Sequence, residues 1–361
     1  MTICVLTHFP SPHVVELLDE VDCFSSVPLR VYYLHRHSSI RSWSEQRISH
    51  QAVYLSDVSF ENAISMVGKQ KPSLFIVGFY NHPTAARIIS LCHASGVPWV
   101  FWGERPNPHC FPIFGRLYRS WKLRRLHQSN APIWGIGKLA IKEYKAEFGC
   151  NHHFENIPYF VNLDRFRHQR KLQTKRDAAR VILFSGRLIR LKGIDLVARA
   201  FARLVDEGFN IRLKIMGKGK LVESLRRDMH GCRERVEFAG FRDWNELPEV
   251  YASADILCAP SRYDGWGMMV LEGLAVGLPV ISTVETGSAV ELISPESNGW
   301  LIPAGDFKAL YLAMRDAATI SDERLAMMSQ CARVTVQHHS LAEGAKRFVA
   351  AAEDAIARGI T

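Results

Sequence analysis

Short apolar runs alternate with stretches of helical period along nearly the whole chain, and this alternation limits the fold more than any single motif. In the first half, strand-like runs fall at Thr2–Thr7, Leu29–Leu34, Leu74–Gly78, Trp99–Phe101 and Ile133–Gly135. Helical patterns lie between them, at about His13–Glu20, Phe60–Lys69, Pro83–Ser95, Pro112–Leu126 and Lys138–Phe148. Parallel strands cannot be joined by a tight hairpin, because each connection must cross over and is long enough to hold a helix. The order strand, helix, strand therefore predicts an α/β chain with parallel sheets covered on both faces. Pro83 suits a first helical turn, where its missing N–H is no loss. Gly96 and then Pro98 stop the same helix.

The second half repeats the alternation. Strands are expected at Val181–Ser185, Ile211–Met216, Asp255–Pro260, Pro279–Ser282 and Asn298–Ile302. Helices are expected at Ile194–Glu207, from the Gly217-Lys218-Gly219 loop to His230, at Glu246–Ala254, Asp306–Thr319 and Glu323–Val336, and finally at Leu341–Arg358. Between the halves, His168 to Arg180 (HQRKLQTKRDAAR) is basic and poor in apolar residues, which reads as an exposed linker or helix and marks the boundary. The expected organisation is a first domain over 1–165, a linker over 166–180, a second domain over 181–340 and a terminal helix over 341–361.

The chain has 361 residues, enough for two domains of ordinary size. Its 47% hydrophobic and 22% charged content is that of a globular protein. No apolar run is long enough to span a bilayer, and the N-terminus lacks the charged start of a signal peptide. A cytoplasmic location follows as an expectation, with peripheral contact to the inner membrane face as its variant. The eight cysteines are scattered without a C-x-x-C pair, so reduced, mostly buried thiols are expected. No histidine cluster has ligand spacing, and no metal is expected. A net charge of +9 suits anionic partners such as nucleotide diphosphates or anionic lipid. Neither zinc-finger spacing nor an RNA-binding aromatic signature accompanies it, so nucleic acid is not expected.

The chemistry centres on Tyr263 to Ile281 (YDGWGMMVLEGLAVGLPVI). Asp264 and Glu272 stand eight positions apart, with Gly265, Trp266 and Gly267 next to Asp264 and an apolar run from Met268. This reads as strand, glycine loop, helix, strand, with Asp264 in the loop and Glu272 on the first helical turns. A helix N-terminus offers unpaired N–H groups and the positive end of the macrodipole, which favours phosphate. Glycines let a ligand approach the backbone, and carboxylates nearby can accept from sugar hydroxyls. By itself the pattern also fits a buried helix with two solvated acids.

These residues resemble the signature of family 4 retaining glycosyltransferases, two-domain enzymes of the GT-B type. That signature has two glutamates separated by seven residues, a glycine-containing loop, and a small-residue helix ending in a G-x-P-V-I strand. Glu272 matches the second glutamate. Asp264 stands in place of the first, shorter by one methylene or about 1.3 Å. The resemblance implies two Rossmann-like doubly wound domains facing a central cleft. The first would bind acceptor and the second the nucleotide sugar, with the terminal helix crossing back to the first.

A second element comes earlier. Gly186-Arg187-Leu188-Ile189-Arg190-Leu191-Lys192-Gly193 follows a strand and places two cations five positions apart, Arg187 and Lys192. An arginine fork and a lysine point charge would neutralise a diphosphate. The Walker spacing is absent. The element resembles the family's G-R…K-G loop, which implies that Arg187 and Lys192 hold the donor phosphates. The resemblance further implies that Gly217 and Gly219 border the nucleotide and that the backbone near Gly240 and Phe241 meets the base.

Ligands in such sheets bind beyond the carboxyl ends of strands. In the first half this selects His8, Asn81 and Glu104 as acceptor-side candidates, with Glu104 as the polar group for the chemistry. The family's catalytic histidine has no counterpart here, since Trp102-Gly103-Glu104 stands near its place. Phe114 to Leu126 (FGRLYRSWKLRRL) is a basic amphipathic helix with aromatics, a pattern that fits either an anionic membrane surface or an ordinary covering helix.

Together these readings imply a metal-independent hexosyltransferase without a cofactor. It would move a hexose from a nucleotide diphosphate sugar, by preference a UDP-sugar, to a glycan or lipid-linked acceptor with retention, in polysaccharide or lipopolysaccharide assembly. Arg187, Lys192 and Asp264 would be its catalytic groups. Gly186, Gly265, Trp266, Gly267, Met268 and Glu272 would complete the donor site. A nucleotide-sugar epimerase of the same shape and a non-catalytic nucleotide-sugar-binding relative remain as alternatives.

Overall fold

Two parallel sheets carry the chain. The computed structural model describes residues 1–37, 43–44, 46–57, 61–62, 65, 69, 71–106, 112–167 and 179–359. Most of the expected helix Phe60–Lys69, most of the basic linker and Cys110 lie outside these residues.

The first sheet has seven strands: β1 (Ile3–Thr7), β2 (Leu29–Tyr33), β3 (Gln51–Tyr54), β4 (Leu74–Val77), β5 (Trp99–Glu104), β6 (Ile133–Ile136) and β7 (Phe154–Asn156). Their spatial order is β3-β2-β1-β4-β5-β6-β7, all parallel. In β1, Cys4 lies opposite Arg30 on one side and Phe75 on the other. Interior strands are covered on both faces, so they read as continuous apolar runs. The outer strands β3 and β7 were not expected. Both are short, half-exposed edge strands in polar surroundings, without the apolar run that marks a buried strand.

The covering helices of this unit are α1 (Pro12–Phe24), α2 (Pro83–Ser95), α3 (Pro112–Lys122), α4 (Arg124–His127) and α5 (Lys138–Phe148). The continuous helix expected over Pro112–Leu126 is divided at Leu123, whose side chain is buried. Gly96 ends α2 in the left-handed conformation, as expected.

The second sheet has six parallel strands: β8 (Arg180–Ser185), β9 (Ile211–Met216), β10 (Val236–Gly240), β11 (Ile256–Ala259), β12 (Val280–Thr283) and β13 (Gly299–Ile302). Their order is β10-β9-β8-β11-β12-β13. Its helices are α6 (Ile194–Asp206), α7 (Val222–Asp228), α8 (Leu247–Ala252), α9 (Met268–Val276), α10 (Gly287–Leu292), α11 (Phe307–Thr319) and α12 (Asp322–Thr335). Ile182, Phe184, Phe201, Leu213, Ile256 and Ile281 lie in one buried cluster of this unit.

The last helix, α13 (Leu341–Arg358), packs on α1. Ser340 caps it by accepting from the Glu343 N–H. A Cβ at Gly344 would lie 2.5 Å from the Phe160 ring, so this residue sets how closely helix and chain approach. Phe348 meets the edges of Trp102 and Trp134 at 5.6 and 5.2 Å between ring centroids. The chain thus divides into two units, Met1–Val161 with His339–Thr361, and Asn162–His338. Among the described residues, no helix is long and apolar enough to cross a membrane.

Candidate functional site

The strand order of the second unit sets the carboxyl ends of β9, β8, β11 and β12 in a row. The loop after β8 carries Arg187 and Lys192, and two glycines let it lie close to its neighbours. Gly217 has φ +138°, and a Cβ there would sit 1.8 Å from the Gly186 carbonyl oxygen. Gly193 has φ +76°, and its Cβ would sit 2.2 Å from the Pro260 carbonyl oxygen. Side chains are excluded from both places by sterics and by backbone conformation. The approach is fastened by hydrogen bonds: Leu188 N–H donates to the Lys218 carbonyl at 2.9 Å, and Gly217 N–H to that of Gly240 at 2.7 Å. A Cβ on Gly219 would meet the Leu188 carbonyl oxygen at 2.3 Å. Phe241, half-buried, lies under the Lys218 ammonium at 5.3 Å from the ring centroid.

The central finding of this site joins two parts of the chain 72 residues apart. Lys192 Nζ donates to Asp264 Oδ2 at 2.5 Å, and the two side chains are only 13% and 14% exposed. Asp264 is held in turn by its backbone, which donates to the Glu285 carbonyl at 3.1 Å and accepts from Gly287 N–H at 3.3 Å. Gly267 then begins α9 without a side-chain cap, and Ser288 Oγ sits 2.8 Å from the carbonyl oxygens of both Trp266 and Gly267. Trp266 is buried, and Gly265 and Met268 flank the same turn. A Cβ at Gly186 would lie 3.9 Å from Met269 Cε, so the cationic loop runs beside the start of α9. Arg187 is exposed at the head of that loop.

Glu272 lies on the second turn of α9 and is 5% exposed. Tyr251, on α8, donates its hydroxyl to Glu272 Oε2 at 2.7 Å, and the same hydroxyl is 2.9 Å from Ser185 Oγ. Burial, followed by the Glu272 charge, drives the Tyr251 phenol well above its usual pKa, so it remains a donor. Sequence reasoning missed Tyr251, whose place in a short helix ahead of β11 marks it only as apolar. It also missed a clamp on the cationic loop. Arg262 donates to both Asp195 oxygens at 2.7 and 2.8 Å, to the Arg190 carbonyl, and through its backbone to that of Leu191 at 2.8 Å. The signal available was a basic residue at a strand end, too common to single out.

In the first unit, His8 stacks on Phe79 at 4.0 Å, and its Nε2 lies 3.0 Å from Asn81 Oδ1. Burial lowers the His8 pKa; the Asn81 hydrogen bond opposes this, while His35 and His82 add to it. Two acceptor-side candidates therefore meet. Glu104 belongs to another group, accepting from Tyr159 Oη at 2.9 Å, with Tyr159 4.6 Å from the His13 ring. Arg105 pairs with Glu143 at 2.6 Å. Among the described residues no group of three or more histidine, cysteine or acidic side chains is placed to hold a metal ion.

Residues 165–334 match the family model described as Glycosyl transferases group 1. An uncharacterized glycosyltransferase of Methanocaldococcus jannaschii is 37% identical over 130 residues, 35% of this chain and 33% of that protein. A GDP-mannose-dependent monoacylated alpha-(1-6)-phosphatidylinositol monomannoside mannosyltransferase of Corynebacterium glutamicum is 25% identical over 259 residues, 67% of this chain and 64% of that protein. The chain thus spans between a third and two-thirds of these relatives' length. Among solved structures, Anabaena HepE in complex with UDP and glucose superposes with a TM-score of 0.76 at 16% identity, covering 98% of this chain and 99% of that one. With its two parallel sheets and its likeness to solved structures across nearly its whole length, the chain has the GT-B fold, and residues 165–334 of its second unit match the glycosyl transferases group 1 model.

Proposed function

We propose that this protein is a retaining hexosyltransferase that uses a nucleotide diphosphate sugar, with a UDP-hexose as the first donor to test. The observation that carries the reading is the meeting of Lys192 with Asp264 at 2.5 Å beside the uncapped start of α9. One cation, one carboxylate and a helix N-terminus within one site suit a phosphate joined to a polyol.

In the reaction, the bond between the anomeric carbon and the terminal phosphate oxygen breaks, and the acceptor hydroxyl oxygen bonds to that carbon. The hydroxyl proton passes to the departing diphosphate. Arg187, Lys192 and the first N–H groups of α9 neutralise the charge that builds on the leaving group, as preorganised donors do. Asp264 reads hydroxyls of the donor hexose, and Glu272, oriented by Tyr251, holds the ribose. Those cations take the part that a divalent ion would otherwise fill. The acceptor is a glycan or lipid-linked saccharide of polysaccharide or lipopolysaccharide assembly. His8, Asn81 and Glu104 are its contacts in the first unit.

The names of relatives bear on the donor: the Corynebacterium protein is named for GDP-mannose, which makes GDP-mannose the competing donor. The test is a panel of nucleotide sugars without added metal, read by thermal stabilisation and release of free nucleotide. One donor should stabilise the protein and release nucleotide slowly, with no effect of EDTA. Stabilisation without release, even with acceptor extracts, would show a binding protein instead. Donor turnover to an epimerised sugar, with no acceptor, would show an epimerase.

A further inference from the structure

Helix α3 turns its apolar face away from the protein. Phe114, Leu117, Tyr118 and Trp121 are 72%, 62%, 43% and 59% exposed. Their spacing places them on one side of the helix. The residue that turns inward is charged: Arg119 donates to Glu147 of α5 at 2.8 Å, and these two side chains are 13% and 6% exposed. A covering helix does the reverse, with its apolar stripe inside and its cations in water. The Arg119–Glu147 pair therefore fixes the rotation of α3 and leaves four large apolar side chains in solvent.

The rim of this face is cationic. Arg116, Lys122, Arg124 and Arg125 lie on α3 and α4, and the sequence from Phe114 to Leu126 holds no carboxylate. The Lys122 ammonium lies over the Trp121 and Tyr118 rings, 4.6 and 5.6 Å from their centroids, so a cation sits directly on the aromatic face. Aromatic and aliphatic side chains ringed by basic ones match the boundary between acyl chains and anionic headgroups. We propose that this face docks on an anionic lipid bilayer, with Phe114, Leu117, Tyr118 and Trp121 in the interface and the basic rim on the headgroups. A second copy of the chain fits less well, because a two-fold contact would set two basic rims against each other with no acid on either helix. Lipid docking of this face is independent of the transfer reaction.

The test is flotation with vesicles of phosphatidylglycerol and phosphatidylcholine, against vesicles of phosphatidylcholine alone. Wild-type protein should float with the anionic vesicles. Its partition should fall at least about tenfold on neutral vesicles, or in about 1 M salt, where charges are screened within about 3 Å. The Leu117→Glu/Trp121→Glu double variant should lose at least about tenfold on anionic vesicles. Both side chains are exposed, so its unfolding midpoint should match that of wild type. Met327→Glu alters another exposed apolar residue, on α12, and should float as wild type does. Wild-type protein that stays unbound, that floats equally on both vesicles, or whose double variant floats unchanged overturns the proposal. So does a wild-type dimer that the double variant converts to a monomer without any vesicle binding, which would assign the face to a second copy.

Discussion

Asp264→Asn and Lys192→Ala should move nucleotide binding in opposite directions. The wild-type pair is neither fully buried nor free, with exposures of 13% and 14% at a separation of 2.5 Å. Breaking one end of a buried pair costs about 3–5 kcal/mol, and an exposed pair is worth about 0.2–1 kcal/mol. A value near 1–3 kcal/mol is expected here. A diphosphate reaching Lys192 must share it with Asp264 or displace that carboxylate. Asp264→Asn removes the competitor and keeps the cation, so the donor's free nucleoside diphosphate should bind about tenfold more tightly, equivalent to about 1.4 kcal/mol. Hexose transfer should fall in the same variant, because the sugar loses its carboxylate. Lys192→Ala should weaken the nucleotide by about tenfold or more and abolish the gain from Asp264→Asn. The assay is titration calorimetry on wild type, both single variants and the double. Two results would refute this account. If the single effects add to within about 0.3–0.5 kcal/mol, the residues act independently. If Lys192→Ala binds nucleotide normally, the cation does not face phosphate. Asp264→Glu completes the series by restoring the longer acid, with about 1.3 Å more reach. It should keep nucleotide affinity and change the preferred hexose; an unchanged preference removes the sugar-reading role.

Two further predictions follow from buried hydrogen bonds. Tyr251→Phe leaves Glu272 without its 2.7 Å donor and should lower stability by about 1–3 kcal/mol while weakening nucleotide affinity; urea unfolding and calorimetry that both match wild type would contradict this. Asp19 accepts from Ser49 N, His50 N and His50 Nδ1 at 2.9, 2.9 and 2.6 Å. Burial acts to raise its pKa, but these hydrogen bonds outweigh burial and hold the carboxyl at about 2. The unfolded value is about 3.9. A depressed folded pKa gives stability that is complete above about pH 4 and is lost as pH falls through about 2. Urea unfolding across that range should show a steeper acid loss for wild type than for Asp19→Asn, and parallel curves would exclude the effect.

Interior strands and long helices were legible because their signals are local. The apolar runs of β1, β4, β8 and β11 and the punctuation of α2 by Pro83 and Gly96 lie within a few residues of what they specify. The edge strands β3 and β7 were not legible, because their pairing partners, not their own composition, make them strands. Gly186, Arg187, Lys192 and the Asp264–Glu272 spacing were found as motifs. Tyr251 and Arg262 were not, since each works through a partner far along the chain: 21 residues for Tyr251 and Glu272, and 67 for Arg262 and Asp195.

By itself, the sequence determined the class of the fold and the chemical inventory of the candidate site. Period, turn chemistry and charge are carried by neighbouring residues and survive without tertiary context. Tertiary structure alone decided three other things. It joined Lys192 to Asp264, buried Glu272 under Tyr251, and turned the apolar face of α3 outward through Arg119 and Glu147. Each rests on an ion pair or hydrogen bond across elements, whose strength depends on distance and on the water excluded around it. Both quantities exist only after the sheets have set the strand ends side by side and the helices have taken their rotation.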